Sequence, residues 1–285
     1  MANFILSAFA DEIDSSLDKQ IESLKRLSID CIEIRTVDGK SFVSLSDDEV
    51  KTLKKKLSDN HIKISALASP VGKIRIDGDF AEHKKLFMRI MDIGDMLGCK
   101  RIRIFSFYKP FYMSETEFRE KSFEKTEELL ELAEKRRFTL CHENEKDIYG
   151  CSIEREYDLL SHFNGRLRAV LDSGNFAFCG FDASKSYDSL KEYIEYFHIK
   201  DALYDGTIVP AGTGKACIKN ILQSVNSDRK DKDVIITIEP HLTVFDGLSS
   251  LSDVNDIKHK YSFKSPFEAF KTSVDAVRKM IAEIE

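Results

Sequence analysis

Short apolar runs alternate with longer amphipathic segments along the whole chain. Runs with strand character lie at 4–9 (FILSAF), 31–35 (CIEIR), 63–69 (KISALAS), 101–107 (RIRIFSF), 139–143 (TLCHE), 167–172 (LRAVLD), 196–200 (YFHIK) and 234–239 (VIITIE). Between them the apolar residues recur every three or four positions, as in Leu17, Ile21, Leu24 and Leu27, or Val50, Leu53 and Leu57. That period places them on one face of a helix. Helix starts are marked by the capping-box spacing of Ser46-Asp47-Asp48-Glu49 and by Ser114-Glu115-Thr116-Glu117. Ser265-Pro266 opens the last helix in the cap-then-proline order.

Eight strands alternating with roughly eight helices, joined by short connections, call for a parallel sheet. The pattern predicts a closed (β/α)8 TIM barrel formed by residues 1–285 as one domain. An open doubly wound sheet is the competitor, but no G-x-G-x-x-G follows the first strand. The segment there, ADEIDSSLD, is acidic and would repel a pyrophosphate. The chain is long enough, at 285 residues, for such a barrel.

Composition narrows the function classes. A net charge of −6 and the lack of a strongly basic block argue against a nucleic-acid partner. No window approaches 18 uninterrupted apolar residues, and the N-terminal residues do not form a signal peptide, so no membrane association is expected. The six cysteines include no CxxC pair and read as reduced thiols in a cytoplasmic protein.

The predicted strand ends carry the chemistry. In a barrel they converge on one mouth, and four consecutive strands here end in Glu143, Asp172, His198 and Glu239. Side chains alternate faces with period two. If these four point inward, then Ala169, Leu171, Phe197, Ile199, Ile236 and Ile238 face the helices, where apolar groups belong. Carboxylates crowded into one mouth repel unless a cation joins them. Two Glu, one Asp and a neutral imidazole form a hard O/N set suited to one divalent metal ion: Mn²⁺ first, with Mg²⁺, Co²⁺ or Zn²⁺ as alternatives.

The stretches HENEKDIYG, LDSGN, HIKD followed by PAGTGK, and TIEPH resemble the xylose isomerase-like TIM barrel superfamily, the sugar phosphate isomerases and epimerases. The openings SAFADEID and CIEIRTVDGK are similar to bacterial members. The resemblance implies that Glu143, Asp172, His198 and Glu239 bind the metal, with Glu143 and Glu239 also serving as acid and base through a metal-bound cis-enediolate. It implies a small-molecule sugar, sugar phosphate or polyol substrate and a possible homo-oligomer. Asn175 stands where the family often has a substrate-binding His or Asn. Two positions depart from the ketose 3-epimerases: Tyr204 replaces an arginine, and Tyr149 replaces a second acid. A keto-polyol dehydratase of the inosose type is therefore the rival enzyme, and a non-catalytic sugar-binding subunit is the rival of another class.

Other residues near the mouth are candidates for substrate contact. Lys200 points inward beyond His198, Arg35 lies inward on strand 2, and Glu145 lies just past strand 5. Gly212-Thr213-Gly214-Lys215 lacks phosphate-loop spacing and reads as a turn, with Lys215 in reach of a substrate phosphate. Glu33 and Arg103 are expected to pair inside the barrel, since buried charges require partners. Phe105, Phe107 and Tyr108 read as pocket wall or core. His142 and His241 read as residues behind the ligands, and His61, His83, His162 and His259 as surface residues.

Overall fold

The computed structural model describes residues 1–245 and 258–284, with the side chains of Lys258 and His259 outside that description. Eight parallel strands form the central sheet: β1 (Asn3–Ala8), β2 (Cys31–Ile34), β3 (Lys63–Ala68), β4 (Arg101–Ile104), β5 (Thr139–Glu143), β6 (Arg168–Asp172), β7 (Ile194–Ile199) and β8 (Asp233–Ile238). Hydrogen bonding runs without interruption from β2 through β3 to β8 and on to β1. The barrel is nearly closed, with β1 and β2 side by side at the seam. This is a (β/α)8 TIM barrel.

Helices lie between the strands: α1 (Leu17–Arg26), α2 (Asp47–Asp59), α3 (Phe80–Leu97), α4 (Glu115–Lys135), α5 (Ile153–His162), α6 (Ser173–Phe178), α7 (Ser186–Leu190), α8 (Ile218–Asp228) and α9 (Pro266–Ile284). The sequence signals for their starts have the expected geometry. The Ser46 and Glu49 side chains form a reciprocal capping box at α2, and Ser114 and Ser265 accept from the backbone N–H groups of Glu117 and Glu268. Val50, Leu53 and Leu57 of α2 are all buried against the sheet. Each contributes about 1.5–3 kcal/mol of apolar burial.

Two apolar layers support the mouth. The larger lies between sheet and helices and includes Ala169, Leu171, Phe197, Ile199, Ile236 and Ile238. The smaller fills the barrel interior with Ala66, Cys141, Val170 and Tyr196, against which Ile235 packs. The alternation expected on β5 to β8 therefore holds.

The chain after β4 departs from the strand expected as far as Phe107. The backbone leaves the sheet after Ile104 because Phe105 and Phe107 donate instead to the carbonyls of Val71 and Gly72. Gly72 allows that approach: its φ is +91°, and a Cβ there would lie 2.0 Å from the Phe105 carbonyl oxygen. Phe105 and Phe107 are buried, whereas Tyr108 is half-buried.

His83 is buried, contrary to the surface position expected, while His61 and His162 are exposed. Its Nε2 accepts the Gly72 N–H at 2.8 Å, so the ring supports the same turn. Burial, with the Lys125 charge nearby, pushes its pKa down to about 4 from an ordinary 6.5. The unfolded chain thus takes up this proton near pH 6.5 and the folded chain only near pH 4. Stability from His83 is full above pH 6.5 and falls as pH drops toward 4. Urea midpoints measured across this window should show a loss of about 1–2 kcal/mol, discounted for solvent screening, that His83→Gln removes.

Candidate metal centre

The ends of β5 to β8 bring Glu143, Asp172, His198 and Glu239 together, all buried, with one ligand-type atom from each within 4.8 Å of the others. Glu239 lies one residue past β8. Its N–H donates to the Ile199 carbonyl, which continues the sheet pairing. Asp172 ends β6 and also caps α6, its Oδ1 accepting the Asn175 N–H at 3.0 Å.

Each of the three carboxylates divides its oxygens between a support and the common centre. Glu143 Oε2 rests on Arg103 Nη1 at 3.0 Å, while Oε1 lies 2.9 Å from His198 Nδ1. Glu239 Oε1 rests on Arg35 Nη1 at 2.9 Å, while Oε2 lies 3.2 Å from His198 Nδ1. Asp172 Oδ2 faces Lys200 Nζ at 3.0 Å, and the same ammonium is 3.7 Å from Glu239 Oε2. Asp172 Oδ2 and Glu239 Oε2 are buried with ionic neighbours but, among the described residues, no hydrogen bond.

Charge is out of balance here. Asp11, Glu12, Glu33, Glu143, Asp172 and Glu239 are buried in and around the cluster, against the fixed cations Arg35, Arg103 and Lys200. Burial would raise the Glu143 carboxyl, but the His198 and Arg103 charges pull it down to about 2. Burial likewise opposes ionisation of Glu239, yet Lys200 and His241 hold its pKa well below the ordinary value. Burial wins at Asp172, which is pushed up to about 7 despite Lys200. At His198 burial disfavours the proton, and the Glu33 and Glu143 charges overcome it, raising the pKa far above 6.5. A divalent cation answers the same acid excess. Oxygen atoms from three carboxylates, among them Asp172 Oδ2 and Glu239 Oε2, and one imidazole nitrogen form a donor set that fits Mn²⁺, Mg²⁺, Co²⁺ or Zn²⁺.

The structure places the other candidates unevenly. Asn175 joins the cluster, its amide donating to Glu143 Oε1 at 3.4 Å and to the Asn144 carbonyl at 2.9 Å. Lys200 is at the centre, 3.0 Å from Asp172 Oδ2 and 3.7 Å from Glu239 Oε2. Arg35 is buried against Asp11, Glu12 and Glu239 and stacks over Phe9 at 4.3 Å. Glu145 lies at the side of the mouth, 3.2 Å from Lys73 Nζ, which sits over the Phe105 ring. Lys215 is exposed, its ammonium 6.0 Å from the Tyr204 ring and outside the buried cluster.

The glycine loop beside Lys215 has its amides engaged. Gly212, Gly214 and Ala216 all donate backbone N–H groups to the Asp201 carboxylate, which also accepts from Ala202. The concavity is filled by the chain's own acid, which accounts for the turn read from the sequence. Tyr149 is also turned away, donating its hydroxyl to Asp158 Oδ2 at 2.5 Å on the helix side.

Two expectations about neighbouring charges resolve differently. Arg103 does not take Glu33 as its contact partner: it reaches Glu143, while Glu33 accepts from Tyr196 and Thr237 and faces His198. Register sets Arg103 level with Ala68 of β3 and Glu33 level with Ala66, so Arg103 lies nearer the mouth, where its Nη1 meets the Glu143 carboxylate. His142 does point away from the mouth, pairing with Glu156 of α5 at 2.8 Å. His241 lies nearer the site than a strand reading implied, with Nε2 3.2 Å from Glu239 Oε1 and 3.3 Å from Glu12 Oε1. It has left the strand, with φ at +48°, so period-two alternation no longer governs it.

Sequence reasoning missed Asp11, Glu12, Asn144 and Lys73 as parts of this mouth. Asn144 cross-links the ends of β5 and β6, donating to the Asp172 carbonyl at 2.7 Å and accepting its N–H at 3.1 Å. The amide immediately after Glu143 was the available signal. Asp11 and Glu12 lie in the acidic stretch after β1, whose partner Arg35 follows a different strand.

The barrel mouth gathers a donor set that could hold a divalent metal, and the sequence matches the family model described as xylose isomerase-like TIM barrel over residues 21–247. The chain belongs to that family. No curated protein matches it in sequence. Among solved structures it is similar to the IolI protein with a bound zinc atom, at 20% identity over 100% of this chain and 99% of that one, with a TM-score of 0.75. It is similar to an L-ribulose 3-epimerase at 14% identity over 100% and 96%, TM-score 0.76. A third likeness is to the probable 3-DHS dehydratase AsbF of Bacillus anthracis, at 13% identity over 98% and 99%, TM-score 0.70. At these identities the likeness is one of fold.

Gly174 tests how closely the site depends on α6. A Cβ there would fall 2.3 Å from the Lys200 carbonyl oxygen and 2.7 Å from its carbon, both backbone atoms. Gly174→Ala should push α6 off the end of β7 and destabilise the fold by about 1–3 kcal/mol in denaturant titrations. It should also weaken divalent-metal binding, because Asp172, Asn175 and Lys200 shift together.

Proposed function

We propose that this chain is a divalent-metal-dependent isomerase or epimerase of a sugar or sugar-derived polyol, with Glu143 and Glu239 as its acid/base pair. The supporting observation is their geometry: two buried glutamates, each steadied on one oxygen by an arginine, present the other oxygen to one centre. Glu143, Asp172, His198 and Glu239 would hold the ion, and Mn²⁺ is the first choice. When bound, it would draw electrons from a carbonyl and its adjacent hydroxyl and so acidify the C–H between them.

The chain's residues then divide the work. One glutamate takes the acidified proton to give an enediolate, and the other returns a proton. Return to the same carbon from the opposite face inverts it, whereas return to the neighbouring carbon isomerises the sugar. Arg103 and Arg35 fix the carboxylates, limiting the reorganisation needed as protons move. Lys200 supplies positive charge beside the developing oxyanion. Asn175, Arg35 and Glu145, the last with Lys73, bind or orient the substrate's hydroxyls. The exposed Lys215 would meet only a group projecting from the mouth.

A dehydratase is the second reading. It is favoured by the departures from the ketose 3-epimerase pattern, since Tyr149 is bonded to Asp158 and the half-exposed Tyr204 lies beside Lys215. The same enediolate would then expel a β-hydroxyl. A sugar-binding subunit without turnover would keep the metal and lose the proton transfer. The working picture is a cytoplasmic, single-domain protein on a small-molecule substrate. Among the described residues, no helix is long and apolar enough to cross a membrane.

C–H exchange in D₂O separates these readings. Mn²⁺-loaded protein should exchange a substrate proton from a panel of ketoses and keto-polyols. Glu143→Gln and Glu239→Gln should each reduce exchange by about 10²–10⁴-fold, with metal binding checked directly. Absence of exchange by the unmodified protein across the panel would sink the isomerase reading, and an absorbing enone product would favour the dehydratase.

A further inference from the structure

We infer that Glu33 is a positioning residue for the metal centre: it holds the His198 imidazole with Nε2–H directed into the barrel and Nδ1 directed at the metal. This rests on the metal-site reading above and assigns a role to a carboxylate outside the ligand set.

Glu33 points inward on β2, across the barrel from β7, and is buried. Its Oε2 lies 3.0 Å from His198 Nε2. The opposite ring nitrogen, Nδ1, lies 2.9 Å from Glu143 Oε1 and 3.2 Å from Glu239 Oε2, on the side where the ligand oxygens converge. A neutral imidazole has one N–H and one lone pair. Both ring nitrogens face carboxylates, as the two N–H groups of an imidazolium do; a cation among the ligand oxygens would take the place of the Nδ1 proton, and the Glu33 acceptor keeps the other hydrogen on Nε2.

The Glu33 carboxylate is itself held in place. Tyr196 donates its hydroxyl to Oε1 at 2.8 Å, and Thr237 donates to Oε2 at 2.8 Å. These residues lie two before the ligands His198 and Glu239 on their own strands, so strand alternation puts all four on the inner face. Phe9 packs edge-on against the His198 ring at 5.1 Å and Tyr196 at 5.4 Å, leaving the ring little freedom to rotate. A carboxylate behind a ligand imidazole also makes it a stronger electron donor, an effect typically worth 10–100-fold in metal affinity.

The test is Zn²⁺ and Co²⁺ binding to the full chain, measured by competitive titration and by the visible spectrum of the Co²⁺ form. Glu33→Gln keeps the shape and an acceptor oxygen but removes the charge. It should weaken Zn²⁺ binding by about 10–100-fold and alter the Co²⁺ spectrum, while the metal-free protein unfolds within a few degrees of the unmodified one. Thr237→Val, which frees Glu33 from one tether, should weaken binding several-fold in the same direction and keeps the test open should Glu33→Gln misfold. Unchanged Zn²⁺ affinity in the variants would overturn the role of Glu33 while leaving the metal site standing. Failure of the unmodified chain to bind either ion would overturn both.

Discussion

Crowding of acid at the end of the barrel is the constraint that the upper half of this molecule is built around. Buried carboxylates without partners cost several kcal/mol each, and here Asp11, Glu12, Glu33, Glu143, Asp172 and Glu239 share a region where the buried fixed cations among the described residues are Arg35, Arg103 and Lys200. The architecture spends those cations where they do most. Arg35 answers three acids at once, and Arg103 takes one oxygen of Glu143. Burial pushes the Glu12 carboxyl up to about 8 even beside Arg35. What remains unanswered is directed at a single point, where four ligand-type atoms within 4.8 Å of one another could hold a divalent cation.

The two glutamates proposed as acid and base inherit different surroundings from this arrangement. Glu143 is steadied by Arg103 and touched by the Asn175 amide. Glu239 is steadied by Arg35, with His241 and Lys200 close by. A pair placed in unequal environments suits a reaction in which one carboxylate takes a proton and the other gives one. The similar structures include both an epimerase and a probable dehydratase. The two chemistries diverge after a common loss of a proton next to a carbonyl, so a shared barrel end is compatible with either. At the side of the mouth Lys73 and Glu145 stand as a neighbouring donor and acceptor.

Much of this was legible in one dimension because strands impose a strict period. Once Glu143, Asp172, His198 and Glu239 were set at strand ends, alternation placed Leu171, Phe197, Ile199, Ile236 and Ile238 on the helix side, and all are packed there. The ends of strands were harder, because backbone there pairs with whichever loop is near. Phe105 to Phe107 read as strand yet bond to the turn at Gly72, and His241 escapes alternation through a positive φ. The partner of Glu33 was misread for a related reason. Arg103 and Glu33 share the inward face, but depth along the barrel separates them, and depth depends on stagger between strands that no local pattern records.

The order of strands and helices, the inward register of the last four strands and the candidate ligand set were determined by the sequence itself. Each follows from periodicity and residue type over a few neighbouring positions. Tertiary structure decided the pairings between residues far apart in the chain. It set Glu33 behind His198, Arg35 between Asp11, Glu12 and Glu239, and the Asp201 carboxylate inside the glycine loop beside Lys215. The physical reason is closure. Bringing β1, β2, β7 and β8 around one axis turns separations of more than 160 residues into hydrogen bonds, and only then does a buried charge acquire its partner.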